Sequence, residues 1–367
     1  MAALQHRAST LETKFLDNVR EFSLVIRAFF FLFAGICAAQ TPGNLSVTAW
    51  PGVRSSAISL TFDDAMATHL DNVGPILKKH GLHATFFVTT GNEAWRNRLA
   101  EWQRLAAEGH EIGGHTVSHP CLLERITPHA QDYTPAMMEA EVRDSAQTIL
   151  REIRGTHGLT FAYPCGNMSF GPPADQARNS ALYQRYISEH FFAARSYGWA
   201  GTVAPDELSV LSVPDLGFTA GQDLRGLLAM ADPALRNHRW GIFTFHGVGG
   251  QYLSVTTEAL DGLAAYLARH PEIWTAPFGD VIRYIQESKA LGIHRSGPAD
   301  DPIQFDLTWP LDAQIFNLPL TLKWQLQGRT SCAVSADGKP LSIRISGSTV
   351  VFDVAVQTKV LRLACGA

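Results

Sequence analysis

The stretch Ala57-Ile58-Ser59-Leu60-Thr61-Phe62-Asp63-Asp64 sets the fold: an apolar, strand-forming run that stops at two adjacent carboxylates. Further short runs of the same texture follow at 84–88, 111–115, 160–163, 192–195, 209–213, 241–246 and 273–275. Between them lie segments with apolar residues three and four apart, at 69–80, 98–108, 135–154, 222–235, 257–269 and 278–289, the spacing of amphipathic helices. Strand followed by helix, repeated this often, predicts a parallel sheet curled into a barrel or near-barrel with helices outside. Around 292–302 the texture changes, with Gly297-Pro298 and Asp301-Pro302 as linker signals. Beyond it Leu320, Leu322, Trp324 and Leu326 alternate with polar residues, and Asp337-Gly338 signals a hairpin turn, so 303–367 reads as a small antiparallel, β-sandwich-like domain. The barrel segment is expected over 40–291.

Composition narrows the function classes. The chain has 367 residues, 46% hydrophobic and 17% charged, with a net charge of -4, as in a globular protein without the basic patch that nucleic acid would need. Arg20 and Arg27 precede an apolar run from Ala28 to Ile36 and the small residues Ala38 and Ala39, which predicts a signal peptide over 1–39 and a secreted, periplasmic or cell-surface protein. The run is far shorter than the roughly 20 residues of a membrane span, so no transmembrane segment is expected in the mature chain. Four cysteines would then remain in an oxidising compartment: Cys121, Cys165, Cys332 and Cys365.

In a parallel α/β barrel the reactive groups stand at the C-terminal ends of the strands. The first strand ends in Asp63-Asp64, the third in Gly113-Gly114-His115-Thr116-Val117-Ser118-His119, and the seventh in Phe243-Thr244-Phe245-His246. Histidines four apart share a face if the chain between them makes about one helical turn, and with a neighbouring carboxylate they match catalytic zinc and related divalent ions. The second carboxylate is free to act as a general base. Taken singly, Asp63-Asp64 also suits a helix cap, and His246 a hydrogen-bonded core histidine. Their joint placement at successive strand ends favours chemistry.

These residues resemble the NodB-like polysaccharide deacetylase family over about 57–289. Thr61-Phe62-Asp63-Asp64 matches its Thr-Phe-Asp-Asp motif and His115-Thr116-Val117-Ser118-His119 its His-(Ser/Thr)-x-x-His motif; Phe161-Ala162-Tyr163-Pro164-Cys165-Gly166 looks like the third motif and Phe243-Thr244-Phe245-His246 like the last. The resemblance implies a distorted (β/α)7-type barrel and a divalent metal, usually zinc with cobalt or manganese as alternatives, on Asp64, His115 and His119. It implies Asp63 as base, His246 as acid, and the third motif, Tyr163, Pro164 and Cys165, at the oxyanion and substrate, with the Cys165 N–H stabilising the oxyanion. The family's arginine near the start of the third motif is replaced here by Phe161-Ala162. Arg195, at the end of the fifth strand, is expected to take over, holding Asp63 bidentately. Cys121 and Cys165 lie in motif loops that meet at the metal and are expected to pair, and Cys332 with Cys365.

Three functions follow: hydrolysis of N- or O-linked acetyl groups on a polysaccharide, hydrolysis of a non-glycan amide on the same metal site, or a degenerate barrel that only binds carbohydrate. Binding alone does not require a base, an acid and three ligands together, which favours an enzyme. Trp199, Trp240 and Trp274 in the barrel, and Trp309 and Trp324 beyond it, are candidate sugar-stacking faces.

Overall fold

The structure, a computed structural model, describes residues 45–198, 201–297, 302–326 and 328–366. The expected leader at 1–39 and Trp199 lie outside the described residues. The described residues form one compact unit.

In chain order the elements are β1 (Leu45–Val47), β2 (Ser56–Asp63), α1 (Gly74–His80), β3 (Thr85–Val88), α2 (Glu93–Asn97), α3 (Leu99–Ala107), β4 (Glu111–Gly114), α4 (Pro135–Glu152), β5 (Thr160–Ala162), α5 (Gln176–Ser188) and β6 (Ala193–Arg195). There follow α6 (Leu224–Arg236), β7 (Trp240–Phe245), α7 (Thr257–Arg269), β8 (Ile273–Thr275), α8 (Phe278–Ala290) and the strands β9 (Gly292–Arg295), β10 (Ile303–Thr308), β11 (Leu320–Gln325), β12 (Ala333–Ala336), β13 (Lys339–Pro340), β14 (Ile343–Ser346), β15 (Thr349–Val354) and β16 (Val360–Ala364).

Seven strands form one parallel sheet in the order β6-β5-β4-β3-β2-β7, with β8 paired to the lower half of β2 through Ser56, Ala57 and Ile58. All eight residues of β2 are buried, as a parallel strand covered on both faces requires. The gap between β6 and β7 is closed by irregular chain: Arg195 bridges to Val213, Phe218 to Thr244, and the Leu216 N–H donates to the Ile242 carbonyl at 2.8 Å. The strand expected at 209–213 is therefore only a single bridge at Val213. Pro214 follows it directly and has no N–H to extend a ladder.

Register places the functional ends level. Asp63 lies opposite Phe87, Val88 opposite Gly114, Ala162 opposite Arg195, and Phe62 opposite Phe245. The two glycines before His115 are steric necessities. A Cβ at Gly113 would stand 2.7 Å from the Phe87 ring, and one at Gly114 2.7 Å from Phe191.

The C-terminal strands form two antiparallel sheets, β1-β11-β15-β14 and β13-β12-β16-β10-β9, around a core that includes Phe305, Leu322, Trp324, Phe352 and Leu363. Asp337 and Gly338 turn the chain between β12 and β13 with φ of 48° and 80°, as a two-residue hairpin requires. Two boundaries differ from the sequence reading. Strand β1, expected with the barrel, pairs with β11, and β9 occupies the expected linker by pairing with β10. Three residues of β1 give too weak a period to reveal the partner. Tyr284 of α8 joins this second core and its hydroxyl hydrogen-bonds the Thr48 carbonyl at 3.1 Å, so the β-layers sit directly on the barrel. Cys332 and Cys365 are disulfide-bonded, with Cα atoms 3.9 Å apart. Among the described residues no helix is long and apolar enough to cross a membrane.

Candidate metal centre and active site

Asp64 follows β2 with φ of 80°, its N–H bound to the Phe87 carbonyl at 3.1 Å, so the chain turns sharply and aims the carboxylate inward. His115 leaves β4 and donates from Nδ1 to the Ala162 carbonyl at 2.7 Å, which points Nε2 into the site. His119 arrives by a different route from the helical turn that the four-residue spacing suggested. Thr116 and His119 both have left-handed backbone (φ 64° and 62°), and the Thr116 hydroxyl accepts the His119 N–H at 3.0 Å. The turn brings the imidazole centroids within 4.9 Å.

The result is a cluster of three donor atoms, one each from Asp64, His115 and His119, all within 4.8 Å of one another. Both Nε2 atoms lie 3.4 Å from Asp64 Oδ1, and that buried oxygen has no hydrogen-bond partner. Three inward-facing donors that do not satisfy each other are what a cation would complete, and two imidazole nitrogens with one carboxylate oxygen suit a divalent ion. Burial would raise the Asp64 pKa, but His115, His119 and His246 outweigh it and hold the carboxyl well below its usual range. Burial and the neighbouring His115 push His119 down to about 4, leaving a neutral ring with a lone pair.

A clamp that the sequence does not advertise fixes this loop. Glu141 of α4 accepts the N–H groups of Val117 and Ser118 at 2.8 and 2.9 Å on one oxygen and the Ser118 hydroxyl at 2.6 Å on the other. Its only sequence signal is a place on the inner face of an amphipathic helix.

Asp63 is buried beside the cluster. Arg195 reaches it from β6, with Nη2 on Asp63 Oδ2. The other arm, Nη1, donates to the Thr244 hydroxyl and to Asp215 Oδ2 at 3.3 Å, while the guanidinium lies 5.2 Å from the Phe87 ring centroid. The hold is therefore one-armed, not the bidentate grip expected, because the fork is shared between two carboxylates. Asp215, missed in the sequence, is fully buried and completely satisfied: Oδ2 also accepts from Thr244 at 2.6 Å, and Oδ1 accepts the N–H of Gly198 and Gly217 at 3.0 and 3.1 Å. Asp63 Oδ1 is buried and has no partner.

His246 follows β7, and its carbonyl accepts from His69 Nε2 at 2.9 Å. His69 is buried in a π-turn (His69–Val73) against Phe62, Phe86 and Trp102, and burial lowers its pKa to about 4. The His246 ring meets Tyr252 edge to face, centroids 6.2 Å apart.

The third motif is only partly as expected. Cys165 adopts φ of 53° and is disulfide-bonded to Cys121, their Cα atoms 5.9 Å apart, tying this loop to the one that carries His119. Tyr163 and Pro164, expected at the substrate, are buried instead. The Tyr163 hydroxyl donates to the Leu211 carbonyl at 3.1 Å and its ring packs against Tyr183, so both side chains serve the core. Trp240 and Trp324 are likewise buried, and Trp309 donates to the Thr358 carbonyl at 2.7 Å, which makes these rings packing groups. The cleft over the cluster, about 980 Å³, is lined by Asp64, Met66, Asn92, His119, Arg125 and Tyr252 among others.

Fold and site together define an α/β barrel with a two-histidine, one-carboxylate centre on its C-terminal rim. Residues 52–181 match the family model described as polysaccharide deacetylase. A gellan lyase from Bacillus sp is 28% identical over 314 residues, covering 77% of this chain and 12% of that protein. A chitin deacetylase from Colletotrichum lindemuthianum is 39% identical over 70 residues (18% of this chain, 27% of that one), and a chitooligosaccharide deacetylase from Rhizobium leguminosarum bv. trifolii 34% over 99 residues (26% and 45%). The matched stretch thus spans less than half the length of each of these three relatives.

Proposed function

We propose that this protein is a metal-dependent hydrolase that removes acetyl groups, N- or O-linked, from a polysaccharide, with Asp64, His115 and His119 holding one divalent ion. The observation that carries the reading is the unsatisfied three-donor cluster beside a second buried carboxylate with one oxygen free. Zinc suits the donor set best, and cobalt or manganese could substitute. A divalent ion bound there supplies Lewis-acid polarisation of the acetyl carbonyl and of the attacking water.

The remaining work falls to the chain's own groups. Arg195 fixes Asp63 through Oδ2, leaving Oδ1 to accept a proton from the water as its oxygen bonds to the acetyl carbon. In this reading the Cys165 N–H donates to the carbonyl oxygen as it gains charge; the left-handed backbone at Cys165 and its disulfide to Cys121, which carries it next to the His119 loop, support the role. His246, its backbone tethered by His69, delivers a proton to the departing sugar nitrogen or oxygen as the carbon–heteroatom bond breaks. The products are acetate and the free amine or hydroxyl.

The chitin- and chitooligosaccharide-directed relatives support amino-sugar polymers as substrates. The apolar leader and two disulfides support a location outside the cytoplasm. The test is acetate release by metal-loaded protein from chitin oligomers, peptidoglycan and acetylated xylan, with His246→Ala alongside. The proposal predicts release from at least one polymer and its loss in the variant. No release from any of them, or undiminished release by His246→Ala, overturns it.

A further inference from the structure

Two exposed side chains, Tyr252 and Arg125, line the cleft. Tyr252 is 51% exposed, although it lines the cleft and meets the ring of His246. The loop that presents it is firmly built. The Gly247 N–H donates to the Tyr252 carbonyl at 2.9 Å, Gly249 N–H to Val255 at 2.8 Å, and Thr68 N–H to the Gln251 side chain at 2.9 Å. Gln251 and Leu253, on either side of Tyr252, hold left-handed backbone with φ of 66° and 48°, a conformation that non-glycine residues adopt at a cost. A strained, hydrogen-bonded loop that leaves an aromatic ring in solvent beside the proposed proton donor provides a stacking platform for a sugar ring.

Arg125 lines the same cleft and is exposed. Among the described residues no acidic side chain pairs with it, and its guanidinium stands at the cleft. The only carboxylate in the cleft lining is Asp64, which the metal would neutralise. The cleft thus carries an uncompensated guanidinium on a chain whose net charge is -4.

We infer that the cleft contains a subsite for a carboxylate-bearing sugar adjoining the acetylated one, with Arg125 binding the carboxylate and Tyr252 stacking on a sugar ring. This rests on the glycan reading above and narrows it to anionic polymers. Such a carboxylate could belong to a uronic acid or to a lactyl-substituted amino sugar. A guanidinium fork recognises either bidentately.

The test has two readouts. In the first, calorimetry measures binding of unacetylated oligouronides and peptide-free peptidoglycan fragments to the wild type, Arg125→Gln and Tyr252→Ala, with chitin oligomers as the neutral control. Tighter binding of one anionic series than of chitin, lost roughly tenfold in Arg125→Gln and weakened by added salt, supports the inference and names the carboxylate's source. In the second, KM for acetate release from acetylated anionic and neutral polymers should rise in Arg125→Gln for the anionic ones alone, and in Tyr252→Ala for both. Equal binding of charged and neutral oligomers by wild type and Arg125→Gln overturns the subsite, whatever the activity. Arginine-dependent binding without acetate release from any polymer would keep the subsite and overturn the hydrolase.

Discussion

Replacing Arg195 by lysine separates charge from geometry in the network that holds Asp63. The guanidinium serves Asp63 with one arm and Thr244 and Asp215 with the other, so a single ammonium can keep one side only. Asp215 is anchored by two backbone N–H groups and Thr244, and it draws the shorter lysine chain away from Asp63. The lost contact is a buried, charge-assisted hydrogen bond, worth about 1.5–3 kcal/mol. If its whole effect falls on aligning Asp63 with the attacking water, kcat for acetate release drops roughly 10- to 150-fold. Metal content stays at wild type, because Arg195 touches none of Asp64, His115 and His119, and circular dichroism is unchanged. A variant with near-wild-type kcat would refute the reasoning and leave Asp63 oriented by its own backbone alone. An equal loss of metal would place Arg195 in the metal site instead.

Further outcomes follow from groups outside the cluster. Glu141→Ala frees the Val117 and Ser118 N–H groups and loosens the His119 turn, so metal affinity should fall about 10- to 100-fold in a chelator competition; unchanged affinity would show that the turn holds itself. Glu287 of α8 accepts the Leu318 N–H at 3.2 Å with one oxygen while the other is buried without a partner, and burial raises its pKa from 4.5 to about 7. A carboxyl with a raised folded-state pKa favours the fold below its unfolded value and loses that contribution as pH climbs through its folded value. Glu287→Gln should therefore be more stable than wild type at pH 8, by at most on the order of 3 kcal/mol, with the difference closing between about pH 7 and 4.5. Parallel melting curves across that range would count against it. Non-reducing peptide mapping should recover Cys121 linked to Cys165 and Cys332 to Cys365, and an alkylatable Cys165 would reject the first pair.

The barrel was legible because its strands are buried on both faces and end in polar residues, which makes each boundary visible, as at Phe62-Asp63 and Phe245-His246. The metal cluster was legible for the same reason: Asp64 and His115 directly follow strand ends that register brings level, and His119 lies four residues beyond His115 in the loop that leaves β4. What escaped is what depends on three-dimensional convergence. Asp215 and Glu141 act through backbone N–H groups and a guanidinium that no local pattern ties to them. Tyr163 sits within a motif, yet its direction is set by Tyr183 and Leu211, distant in sequence. Helix α5, with its weak apolar stripe, and the three-residue β1, which crosses to the C-terminal sheet, offer too little period to read. Arg195 was found from its strand-end position, but its sharing between Asp63 and Asp215 needed the fold.

The central claim is that one divalent ion on Asp64, His115 and His119 is required for acetate release. It is tested most directly by titrating zinc into chelator-stripped protein while following bound metal and acetate production from an acetylated amino-sugar oligomer together. Both should rise in proportion and level off at about one ion per chain, and His119→Ala should neither bind the ion nor regain activity. Full acetate release by the stripped protein, or full metal occupancy in His119→Ala, would contradict the claim.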